Sequence, residues 1–319
     1  MRLIHWSGFL AGLVFPFIIH GQSLVGAGYL DPGAIQVAPG QVLTLFTTGL
    51  STMLSSGRTA AQTVPLPGTL AGISVSLHQT NPETRRSLPL FAITQFNHCG
   101  AGEAPSPACV VTGITVQIPF DISVPNSLIF IAPNSQGSSE IRVDENGNEG
   151  PGFSVVPVAT QVHVLKSCDI NGSTYGSNVC YPLVTHLDGS PVLQAPRAPN
   201  GAALTFSEAN PGEVLVLYAY GMGQVTTDTP AAVTGATMQY DYRANTAPSM
   251  PLSGTSPLFA GLTPGQIGLY QINFVVPQPP AGTAPCGTGV QSNLTVSVAV
   301  GDTYDGAAIC VNTGAAPAP

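Results

Sequence analysis

The chain has 319 residues, with 8 Lys or Arg against 16 Asp or Glu and a formal net charge of -8. Only 8% of residues are charged, against roughly 25% in an ordinary soluble domain, while 44% are apolar and Gly and Pro number 36 and 30. This excludes a basic nucleic-acid footprint, long solvated helices and a largely disordered chain. A turn-rich, all-β protein is what such a composition allows.

In chain order, the first feature is MRLIHWSGFLAGLVFPFIIHGQS. Arg2 supplies a positive start, Leu10–Ile19 most of an apolar stretch, and Gly21 and Ser23 small residues for cleavage. Residues 1–23 are therefore expected to be a signal peptide, and the protein secreted or periplasmic, working outside the cell. An uncleaved N-terminal anchor is the competing reading. No later stretch is apolar for long enough to span a bilayer.

Strand patterns follow. Val42–Thr47 is apolar on both faces, which predicts an inner strand of a covered sheet. Ile73–Leu77 alternates in the half-buried style. Further strands are expected at Leu128–Ile131, Glu140–Val143, Phe153–Val158 and Val162–Leu165, then at Val214–Tyr218, Thr237–Tyr242, Leu294–Val300 and Ala308–Val311. Gly, Pro, Asn and Ser separate them, as in a sandwich or barrel.

Three blocks recur in the same order. PGQVLTLFTTGL at Pro39–Leu50 lines up with PGEVLVLYAYGM at Pro211–Met222. PLFA at Pro89–Ala92 returns at Pro257–Ala260, and ITVQIP at Ile114–Pro119 becomes INFVVP at Ile272–Pro277. Ordered recurrence indicates two similar domains. The Pro-rich stretch Ser190–Gly201 places the joint near Ala198, giving a first domain over 24–198, a second over 199–313 and a flexible tail over 314–319.

All six cysteines lie beyond the leader, and an even number in an exported chain suggests disulfides. Spacing favours Cys99–Cys109, Cys168–Cys180 and Cys286–Cys310. The first pair falls in a 21-residue interval, Ile93–Gly113, where the second repeat has 11 residues, so it reads as a staple across an enlarged loop. A zinc site competes weakly, because no Cys-x-x-Cys exists and His98 is the one histidine beside a cysteine.

At the repeated blocks the chain resembles a family of uncharacterised immunoglobulin-like domains found at the C-termini of large secreted acidobacterial proteins. The carrying segments are Asn210–Gly223, NPGEVLVLYAYGMG, and Phe259–Pro277, FAGLTPGQIGLYQINFVVP. APGQVLTLFTTGL at Ala38–Leu50 carries the first copy, and His186–Glu213 resembles the joint of tandem versions. The resemblance runs over about Ala38–Val311. It implies two immunoglobulin-like β-sandwich domains in tandem and no catalytic residues to carry over. Relatives usually append such domains to a larger region, whereas here the pair is nearly the whole chain, so its function is expected to be its own or to arise by assembly.

Two candidate sites remain. Asp144, Asn146 and Asn148 alternate as oxygen ligands do at the start of a calcium loop, although Glu149 stands where an EF-hand requires Gly. A solvated Asn-Gly hairpin turn explains the same residues. Asp302 and Asp305 invite the same pair of readings. Tyr218 and Tyr220, and likewise Tyr240 and Tyr242, share a side at i, i+2 spacing and could together form an exposed ligand-binding patch. Packing within or between domains competes. Histidines His78, His98, His163 and His186 match no metal or catalytic pattern, and no Gly-x-Ser-x-Gly elbow occurs. The expectation is a non-enzymatic structural or adhesive module, without a cofactor unless calcium binds. Its partner would be an extracellular glycan, a protein or a second copy, with no nucleic acid and no membrane span. A carbohydrate- or peptide-binding protein is one alternative, and an enzyme with an unrecognised site the other.

Overall fold

The computed structural model describes residues 23–28, 36–124, 138–167, 169, 181–192, 207–287 and 289–314. The chain is all-β and forms two regions of packed sheets. In the first region one sheet runs β1 (Ser23–Gly28), β3 (Val42–Thr48), β9 (Val110–Gln117), β8 (Leu90–Asn97), β4 (Arg58–Ala60). The other runs β2 (Gln36–Val37), β12 (Phe153–Pro157), β10 (Ser139–Glu145), β6 (Ile73–Thr80), β5 (Thr69–Leu70), with β7 (Glu83–Ser87) on β6 and β11 (Asn148–Glu149) on β10. In the second region one sheet runs β13 (His163–Val164), β15 (Val214–Tyr220), β18 (Tyr270–Val275), β17 (Phe259–Leu262), with β14 (Val184–His186) also on β15. Its companion runs β16 (Thr237–Asp241), β19 (Leu294–Val300), β20 (Thr303–Ile309).

Side-chain alternation builds the cores. In β10, Ser139, Ile141, Val143 and Glu145 point inward while Glu140, Arg142 and Asp144 are less buried. Every residue of β19 is buried. Its apolar row faces the core, and on the other side Thr295 and Ser297 bond the backbone of Thr246 and Ser249, so a second layer of chain covers that face. Leu45, Ile73, Leu77, Ile93, Ile114 and Ile141 sit in the first core; Leu217, Tyr270, Ile272, Phe274, Val296 and Ile309 sit in the second.

The sequence repeat becomes a repeat of hydrogen bonds. Ala38 N–H bonds the Gln41 side chain at 2.7 Å, and Asn210 N–H bonds Glu213 at 2.8 Å. Gly40 N–H reaches Ile118 O and Gly212 N–H reaches Val276 O, both glycines having positive φ. The same register follows: Val42 faces Gln117 as Val214 faces Val275, and Leu45 faces Ile114 as Leu217 faces Ile272.

Two disulfides join the expected partners, Cys99–Cys109 and Cys286–Cys310. Cys168, Cys180, residues 1–22 and Leu128–Ile131 lie outside the described residues. Ser23, placed at the end of the leader, is the first residue of β1 and pairs with Thr48.

Three sequence expectations are revised. The joint does not fall near Ala198: β13 and β14 hydrogen-bond β15, and Val162, Val164, Val184 and Val192 belong to the second core. The chain therefore changes core just after Val158, whose N–H still bonds Val37. The last strand begins at Thr303 rather than Ala308, because Thr303–Ile309 pairs along all of β19. Asp305 consequently stands on a strand and not in a turn. Among the described residues no helix is long and apolar enough to cross a membrane.

Candidate functional site

The four tyrosines do not form one patch. β15 and β16 belong to different sheets. On β15 Leu215, Leu217 and Ala219 enter the core, so Tyr218 and Tyr220 face outward from that sheet. On the companion sheet Tyr240 and Tyr242 pack against the core. Tyr240 lies 6.0 Å from Phe274, ring centroid to centroid, and Tyr242 donates its hydroxyl hydrogen to Pro277 O. Burial, with the neighbouring Tyr240 second, pushes the Tyr242 phenol up to about 12. Burial also raises Tyr220, with the charge on Asp169 adding to it. Tyr220 borders a cleft of about 390 Å³ between the two regions, with Val64, Leu66 and Phe91 on one side and Gln266 and Ile267 on the other.

The acidic segment forms a hairpin turn between β10 and β11. Asn146 and Gly147 have φ of 54° and 85°, the left-handed pair that a tight hairpin requires. Asp144 accepts the Gly147 N–H at 2.8 Å, and Asn148 donates to Glu145 O at 3.3 Å. Asn146 lies over Gly72, where a side chain would collide with its amide oxygen. Asp144 and Asn148 of the suggested calcium set thus serve the turn with their side chains, and Asn146 serves it with its backbone. Glu149 closes an ion-pair cluster, meeting Arg85 at 2.6 Å, Arg142 at 3.1 Å and His78 at 3.5 Å. Among the described residues, no three His, Cys, Asp or Glu side chains are grouped to hold a metal. Asp305 accepts the Val164 N–H at 2.8 Å and approaches His163, whose other nitrogen meets Asp169 at 2.8 Å.

Among the described residues, one grouping of nucleophile and base types was not legible as a motif. His186, at the end of β14, is 9% exposed. Its Nδ1 lies 2.5 Å from Glu213 Oε1, and its Nε2 lies 2.9 Å from Ser207 Oγ. The backbone around it is fixed, since His186 N–H bonds Ser190 O and His186 O accepts the Gly189 N–H. Glu213 uses its second oxygen on Asn210 N–H, in the repeated Pro-Gly turn. Ser207 is exposed and bridges to Val192. One signal pointed here: Glu213 stands where the first repeat has neutral Gln41, so the second copy carries a charge its turn does not require.

No protein-family model and no curated protein matches the chain.

Proposed function

We propose that the chain is an exported structural or adhesive module of two immunoglobulin-like sandwiches, acting outside the cell by surface contact. Strand order supports the immunoglobulin-like reading. In each region the segment before the first long strand runs parallel to the last: β2 beside β12, and Ala209 beside Val311. The disulfides suit an oxidising compartment.

The observation that carries the contact reading is the outer face of the β15–β18–β17 sheet. Cross-strand pairs put Val214 beside Val275, Tyr218 beside Gln271 and Phe259 beside Asn273. No charge interrupts these rows, and Val275 is 40% exposed. An uncharged apolar and amide surface is suited to a glycan or protein partner. The test is an array of glycans and surface proteins probed with the folded chain, with and without calcium, beside a Val275→Asp variant. Capture by the parent and not by the variant supports the reading. Equal capture by both, or no capture of a folded parent, removes the adhesive role.

A further inference from the structure

Ser207, His186 and Glu213 meet at a point that the contact reading does not use. Three segments bring them together: the β14 hairpin, the stretch bridged to Val192 and Val311, and the Pro-Gly turn before β15. Both side-chain contacts fall at or close to the reach over which a base activates a nucleophile. A carboxylate only accepts hydrogen bonds, so Glu213 holds the hydrogen of His186 on Nδ1. The lone pair on Nε2 then faces the Ser207 hydroxyl. That tautomer and that order of residues are what a serine nucleophile requires.

A purely structural reading explains less. The Pro-Gly turn closes equally well around Gln41 in the first repeat, so it has no need of a carboxylate. Ser207 is exposed and water can satisfy its hydroxyl, so bonding it inward contributes little to folding. His186, by contrast, is buried with a charge partner beneath it and its free edge turned to the surface serine.

We propose that Ser207 is a catalytic nucleophile for carboxylic esters, with His186 as its general base and Glu213 as the positioning residue. Ser207 Oγ bonds to the ester carbonyl carbon as its proton passes to His186 Nε2. The tetrahedral intermediate expels the alcohol oxygen, which takes that proton from His186 and leaves an acyl-serine. Water then attacks the acyl carbon, gives one proton to His186 Nε2, and the acid leaves as Ser207 recovers the proton. The imidazolium formed in each half is faced by Glu213 beneath it and by Asp188 on its own turn, with Glu208 next to Ser207 in the chain. An exposed serine suits a short acyl group carried on a larger molecule.

The test treats the full chain with a fluorophosphonate probe, maps the adduct by peptide mass, and follows p-nitrophenyl acetate hydrolysis in parallel. One adduct on Ser207 is expected, lost in Ser207→Ala together with ester turnover above the buffer rate. Glu213→Gln places in the second repeat the residue its turn already accepts in the first. It should keep the melting temperature and KM while lowering kcat by about 10²-fold, which a merely structural role would not do. A parent chain that folds but leaves Ser207 unlabelled, or that hydrolyses the ester no faster than Ser207→Ala, overturns the proposal. Such a result leaves the array experiment on the β15–β18–β17 face unaffected.

Discussion

Glu145 is 7% exposed and yet ionised in the folded chain. Desolvation is the largest single influence on it and pushes its carboxyl up. The combined hydrogen bonds from Thr52 and Ser51 outweigh that push, including N–H contacts of 2.6 and 3.0 Å, and hold it below its usual value of 4.5. A lowered carboxylate stabilises the fold above the unfolded pKa and loses that contribution as pH falls through the folded one. Glu145→Gln takes the charge from both contacts and leaves one of the two backbone donors facing an amide NH2 that cannot accept its hydrogen. It should cost about 1–3 kcal/mol at pH 7. Urea denaturation of parent and variant should show this gap narrowing below pH ~4.5. A gap independent of pH would assign the cost to shape rather than charge. In the sequence Glu145 is one acid among several in a hairpin turn. Its role depends on Ser51 and Thr52, more than ninety residues away, and no local pattern announces such a partner.

At the scale of elements, what repeats was legible and what does not repeat was not. The Pro-Gly blocks marked β3 and β15 because a positive-φ glycine and an apolar alternation leave a strong local imprint. β13 and β14 have no counterpart block. Chain proximity assigned them to the first domain, while pairing with β15 assigns them to the second. The tyrosine pairs were legible as pairs only, since period 2 gives a shared side but not which side faces the core, and both readings therefore stayed open. Local disulfides were readable because each closes a short excursion. Cys99–Cys109 spans 10 residues in sequence and Cys286–Cys310 spans 24. In the chain-entropy account the longer loop stabilises by about 3.5 kcal/mol and the shorter by about 2.8. Cys310 is fully buried, so replacing the second pair also opens a cavity. The double variant Cys286→Ala/Cys310→Ala should therefore lose more stability in urea than Cys99→Ala/Cys109→Ala. The reverse order would mean that the 98–109 loop orders more of the first region than its own hairpin.

The two regions also act on each other. Phe120 leaves the first region after β9 and packs against the core of the second, and its carbonyl accepts the Gln224 side-chain amide. Gly40 makes room for this: a side chain there would strike the Phe120 ring and the Tyr270 hydroxyl. Gly268 makes room from the other side, where an added Cβ would fall 2.7 Å from Val42 and 2.9 Å from Gly40 O. Tyr270, fully buried and held far above the ordinary phenol range by that burial, donates to Gly223 O at 2.5 Å beside the same contact. Inter-domain contacts are ordinarily loose enough for relative motion unless apolar packing resists it. Here an aromatic side chain from one region is part of the packing of the other, so the cores should unfold together. Calorimetry of the parent should give one transition whose van't Hoff and calorimetric enthalpies agree. Phe120→Ala removes the shared ring while leaving each sheet's hydrogen bonds in place. It should split that transition in two, the second region melting first because its packing loses the ring. A Phe120→Ala chain that still melts in a single transition would place the coupling in the glycine contacts instead, and Gly268→Ala would then be the variant that separates the two.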